Sequence, residues 1–149
     1  MGNIYGISMP LALPAIYTPS ADVTCSAGTE TTVITTGAIA ALGPGSYYPV
    51  MWLALAIVFG AMLPTAMTVA FKIGAGSDVD SFALAPAEFI ASETHNYSLP
   101  LIGANSGTAW VGAGSTINIT VLATAQAVTC KQVGSRALVA LFRGPDTLP

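Results

Sequence analysis

Few side chains in this sequence could do chemistry. It has one histidine, His95, two cysteines, Cys25 and Cys130, and two close carboxylate pairs, Asp78/Asp80 and Glu88/Glu93. A serine triad on a G-x-S-x-G elbow needs a strained turn that lifts the hydroxyl toward its base. The run Gly103-Ala104-Asn105-Ser106-Gly107 misplaces the serine, and His95 beside Asn96 reads as a solvated turn residue. A zinc site needs clustered His, Cys, Asp or Glu, which one histidine and two distant cysteines do not supply. Asp78-Val79-Asp80, after Gly76-Ser77, could hold calcium with backbone carbonyls. It lacks the further acidic ligands of a calcium loop, and a polar turn accounts for it. Glu88 and Glu93 have no sugar-binding aromatic context that would make them a glycosidase pair. Gly74-Ala75-Gly76 does not continue as a dinucleotide or phosphate-loop fingerprint. No catalytic, cofactor-binding or metal-ligating residue is assigned, and the chain reads as a non-enzyme.

The cysteines leave two readings open. Both follow Val-Thr, in Val23-Thr24-Cys25 and Val128-Thr129-Cys130. On a secreted or particle-borne chain a disulfide between them would close a loop of about 105 residues, worth roughly 4–5 kcal/mol in the chain-entropy model. In a reducing cytoplasm they would serve as small buried hydrophobes. Asn96-Tyr97-Ser98 and Asn118-Ile119-Thr120 match the N-glycosylation pattern, which arises often by chance in a chain rich in Ser and Thr.

The elements that would carry these residues are set by an unusual composition. Four Lys+Arg and seven Asp+Glu make only 7% of 149 residues, against 53% hydrophobic. An ordinary soluble domain is about 25% charged. Disorder requires the opposite balance. A nucleic-acid footprint requires clustered cations, and here only Lys72, Lys131, Arg136 and Arg143 exist, at net charge -3. What remains is a membrane protein or a surface covered by neighbours.

The membrane reading falls on length and period. Residues 50–63 form a proline-bounded apolar run with no charge between Glu30 and Lys72. A spanning helix needs about 20 such residues, and runs of about 10–14 are more often buried elements. Met51, Leu53, Leu55, Ile57 and Phe59 alternate with Trp52, Ala54, Ala56, Val58 and Gly60, mostly large against small. That is the period of a strand. The small parity suggests a face lying close against another layer. No Lys or Arg precedes residue 72 to orient a span. The start MGNIYGIS has no basic region typical of a signal peptide.

Alternation continues elsewhere. Residues 65–73, 116–121, 135–143 and the Thr/Val/Ile-rich 30–39 read as strands, with shorter candidates at 81–84, 96–102 and 108–111. Gly, Pro, Asn and Ser cluster between them. The best helix candidate, 85–94, could equally be a loop. Seven or eight strands predict an all-β, antiparallel, jelly-roll-like sandwich. Three segments result: an extended arm at 1–28, the sandwich at 29–143 and a short tail at 144–149. Pro10, Pro14 and Pro19 hold the apolar arm extended.

Three stretches carry a family resemblance. They are the Thr-rich opening strand at 29–36, the strand ending Phe71-Lys72-Ile73-Gly74-Ala75-Gly76, and the pattern at 116–124 followed by a closing apolar strand. Over residues 29–143 the chain resembles the small β-sandwich decoration, or cement, proteins that stud the capsids of tailed phages. The resemblance implies a structural virion protein on the capsid surface, made in the host cytoplasm. It would be a homo-oligomer, often a trimer, clamping neighbouring major capsid protein subunits, with no catalytic residues.

Apolar interfaces depleted of charge fit the composition. The expected inter-subunit contacts are Ile4, Tyr5, Leu11, Leu13, Ile16, Tyr17, Trp52 and Trp110, with one parity of residues 50–59. Neither nucleic acid nor membrane is an expected partner. Three other readings compete. One is a single jelly-roll major capsid protein of a tailless virus. Another is a membrane protein with one span at 50–63. The last is a carbohydrate- or receptor-binding sandwich using Trp52, Trp110 or Tyr97.

Overall fold

The computed structural model describes residues 15–39, 47–85, 88–102, 111 and 114–143. Alternating apolar residues produce ten strands. They are β1 (Ala15–Tyr17), β2 (Val23–Cys25), β3 (Thr31–Thr35), β4 (Tyr47–Phe59), β5 (Ala66–Ile73), β6 (Asp78–Leu84), β7 (Thr94–Ile102), β8 (Ile117–Thr124), β9 (Val128–Cys130) and β10 (Arg136–Arg143). All the strand pairs are antiparallel.

Two sheets result. In the first, β4 pairs β7 on one side and both β10 and β9 on the other, and these in turn carry β1 and β2. In the second the order is β3-β8-β5-β6. The register shows that β9 and β10 are one line along β4, broken at 131–135, because Ile57 faces Cys130 and Ala54 faces Arg136. β1 and β2 are likewise one interrupted line along it.

Counting each interrupted line once leaves eight strands, each pairing with its mirror image in chain order. The first pairs the eighth, β3 pairs β8, β4 pairs β7, and β5 pairs β6. This is a long hairpin rolled into two layers, the plan of a jelly roll. The all-β antiparallel sandwich expected from the alternation is therefore what the chain forms.

One face of each sheet makes the core. Met51, Leu53, Leu55, Ile57 and Phe59 of β4 face Met67, Val69 and Phe71 of β5 and Ile117, Ile119 and Val121 of β8 across the interior, all of them buried. Each such side chain contributes about 1.5–3 kcal/mol on leaving water. No helix among the described residues is long and apolar enough to cross a membrane. Residues 50–59 of the run given as the alternative span lie in β4.

One local alternative is resolved and one expectation needs correction. The 85–94 segment, open between helix and loop, is a loop of turns over its described residues 88–93, with Glu88 N–H donating to Ala85 O at 3.1 Å, and its last residue opens β7. The small parity of β4 meets a covering layer only at Ala56, beneath the 131–135 excursion. There Lys131 N–H donates to Ala56 O at 2.8 Å, and the buried Ser135 hydroxyl accepts the Ala56 N–H at 3.1 Å. The serine supplies the hydrogen bond that the broken ladder omits, as a buried amide requires. The rest of that parity faces outward.

Candidate functional site

The outward face of the first sheet is where predicted contact residues meet. Register places Ile16 beside Leu138, Leu138 beside Trp52, and Trp52 beside Pro100, one row across four strands. Ile16 is 65% exposed, Trp52 56% and Leu138 40%. The next row sets Ala140, Val50 and the half-exposed Ile102 side by side. Beyond it Tyr48 stacks on Phe142, ring centroids 5.9 Å apart. The Trp52 indole N–H donates to Ser98 Oγ at 2.7 Å, which fixes the ring on the surface. A polar tip satisfied beside an exposed apolar body is the usual form of an interface aromatic.

Of the predicted contacts, Ile16 and Trp52 lie together here. Tyr17, of opposite parity on β1, is half-buried against the core. Ile4, Tyr5, Leu11, Leu13 and Trp110 lie outside the described residues. Sequence reading missed Leu138, Pro100 and Ile102. Their adjacency to Trp52 and Val50 depends on cross-strand register, which no local pattern in one strand reveals.

The outer face of the second sheet is polar at its Lys72 end, with Leu122 exposed farther along β8. Glu30, Thr32, Lys72, Gly74, Thr116, Asn118 and Thr120 line an open hollow of about 450 Å³. Lys72 Nζ lies 2.5 Å from one Glu30 oxygen and 3.4 Å from Asp78, and Thr120 Oγ1 donates to the other Glu30 oxygen at 2.7 Å. The hydrogen bonds from Lys72 and Thr120 hold the Glu30 carboxyl below its usual range, and the bond to Glu30 raises Lys72. Asn118 Nδ2 donates to Gly74 O at 2.9 Å, so this sequon's amide is already engaged. At the β2–β9 edge, Asp22 pairs with Lys131 and accepts Gln132 N–H at 2.8 Å, and those two bonds lower its carboxyl.

The remaining chemical candidates serve the fold. His95 is not a solvated turn residue. It sits in β7, half-buried, 4.9 Å from the Phe89 ring and 5.4 Å from Phe59, with Nε2 at 3.2 Å from both Ile90 N and Ile90 O. Tyr97 completes this aromatic cluster, edge-on to Phe89 at 5.2 Å. Burial pushes its phenol up to about 12. Asp78 and Asp80 lie in β6 with separate duties. Asp78 meets Lys72, while Asp80 accepts the N–H of Ser81 and of Ile102, each at 2.9 Å, and so ties β6 to β7. Among the described residues no three His, Cys, Asp or Glu side chains gather as a metal site. Cys25 and Cys130 are both buried thiols, sulfurs 4.0 Å apart, and the hydrogen bond between them together with burial raises Cys130.

No family model matches the chain, and no curated protein matches it. Among solved structures it is similar to that of infectious bursal disease virus, Gt strain, at 13% identity and a TM-score of 0.49, over 89% of this chain and 38% of that one. The T13 viral particle of the same virus gives 12% identity and 0.49, over 89% and 36%. Its VP2 subviral particle gives 15% identity and 0.44, over 89% and 38%. The chain thus spans less than two thirds of the length of these structures' chains.

Proposed function

We propose that this chain is a structural, non-enzymatic virion protein that packs against copies of itself and a capsid lattice through the apolar outer face of its first sheet. The observation that carries the proposal is the exposed row Ile16–Leu138–Trp52–Pro100. Contiguous exposed apolar patches of this kind mark interaction sites. The aromatic Trp52 lies inside the patch, where binding energy concentrates. The inner rows carry no charge, and Arg136 stands at their margin beside Ala54. An uncharged apolar sheet face can be covered by a neighbouring subunit packed against it at about 10 Å, as sheets pack.

The opposite face is wet, with its ion pairs and threonines. A subunit with its exposed aromatic and aliphatic row on one side and its ion pairs on the other fits a decoration protein, held to a lattice by one face and exposed to solvent on the other. Only four Lys+Arg in the whole chain also argue against lining a genome. The second reading is a shell-building subunit, favoured by the rolled eight-strand plan that viral capsid domains share with lectins and cupins.

Sedimentation of the purified chain in plain buffer tests the face. The expected result is a trimer or larger assembly that Trp52→Glu with Leu138→Glu reduces to a folded monomer. A native chain that stays monomeric across the concentration range overturns the proposal. Copies per particle, and whether a shell forms without this chain, separate the two roles.

A further inference from the structure

Two thiols take no part in that surface, and their placement is specific. Val23-Thr24-Cys25 and Val128-Thr129-Cys130 run antiparallel as β2 and β9, with Thr24 opposite Thr129 and each cysteine opposite a valine. The two cysteines are diagonal neighbours of like parity, so both point inward. Both are fully buried, and their sulfurs lie 4.0 Å apart. Burial alone would be served by thiols anywhere in the core. Here two of them converge between adjacent strands, one of which is the three-residue edge strand β2. An edge this short opens more readily than the core.

We propose that Cys25 and Cys130 are a redox site that closes to a disulfide and fastens β2 to β9. The sulfurs must approach from 4.0 Å to about 2.05 Å, the length of the bond. The oxidant is a small-molecule disulfide of the glutathione class, reached when β2 opens. The Cys25 thiol loses its proton to solvent, and its sulfur attacks one sulfur of the oxidant. That S–S bond breaks, and one thiolate leaves and takes up a proton. The Cys130 thiol then gives up its proton as its sulfur attacks the Cys25 sulfur of the mixed disulfide, and the second thiolate leaves and takes up a proton. In sum the protein pair loses two protons and two electrons, and one oxidant disulfide becomes two thiols. The product closes a 105-residue loop and holds β2 against β9. The inference is independent of the virion reading, because it rests on the interior and not on either outer face.

The test uses the full native chain, incubated with oxidised glutathione or with a phosphine reductant, in mild urea that frays edges but leaves the fold. After oxidation, intact mass should fall by two hydrogens and the thiol count in strong denaturant should drop from two to none. The thermal midpoint should rise by several degrees. A Cys25→Ala chain should show no such rise, which assigns the shift to the bridge. Two free thiols after prolonged oxidation would overturn the proposal. So would a bridged chain whose midpoint is unchanged or lower.

Discussion

The Tyr97 hydroxyl lies buried beside Phe89 without a hydrogen-bond partner among the described residues. A buried hydroxyl left unpaired costs about 1–3 kcal/mol, so Tyr97→Phe should be neutral or stabilise the fold by about 1 kcal/mol in urea melts. Its titration has a definite sign. Burial raises the folded phenol to about 12, while in the unfolded chain it ionises near its ordinary value of about 10. The stability tied to this group is thus present below that unfolded value and is lost as pH rises toward the folded one. Tyr97→Phe should flatten the alkaline decline of the urea midpoint, and an equally steep decline in both chains would sink the assignment. Composition alone made Tyr97 and Trp52 visible as large aromatics. Which of them faces inward follows from strand parity, and the alternation of β4 put Trp52 opposite the Met51–Phe59 parity while leaving open which of the two faces outward. His95 was misread because its polar neighbour Asn96 points to the other face of the same strand.

Gly134 shows what an element demands of one position. It sits in the excursion between β9 and β10 at φ +96°, and a side chain there would meet Ala56 Cβ at 3.0 Å. Gly134→Ala combines a backbone conformation costing on the order of 1–3 kcal/mol with a contact against a buried strand. The expected loss is about 2 kcal/mol or more by denaturant unfolding. A loss under half of that would mean that the excursion relaxes freely over β4. The long β4, β5, β8 and β10 were plain in the sequence, since period-2 alternation survives wherever one face is wet and the other dry. β1, β2 and β9 were not. They are three-residue pieces whose pairing depends on distant partners and not on local pattern. The interaction face suffered the same limit, because Ile16, Leu138 and Pro100 become neighbours only through register.

The mirrored pairing fixes how the chain must fold. β5 and β6 meet across a four-residue turn at 74–77, whereas Ala15 meets Val139 from the other end of the chain. Loop closure makes the distant pairing the slower to nucleate. Folding should therefore take milliseconds to seconds, and begin where the hairpin is shortest. Val69→Ala should mainly slow folding, while Val139→Ala should mainly speed unfolding, as read from the two arms of a chevron. The reverse partition would place the nucleus at the outer edge of the roll.

That same pairing has a consequence for anything joined to the protein. Since Ala15 lies opposite Val139 and Tyr17 opposite Ala137, the described chain enters and leaves the sandwich along one seam. A cargo grafted before the first strand and one grafted after the last would depart from a shared corner. A short peptide sewn across the seam would turn the chain into a circle, free to be reopened at the 74–77 turn with every strand still beside its partner.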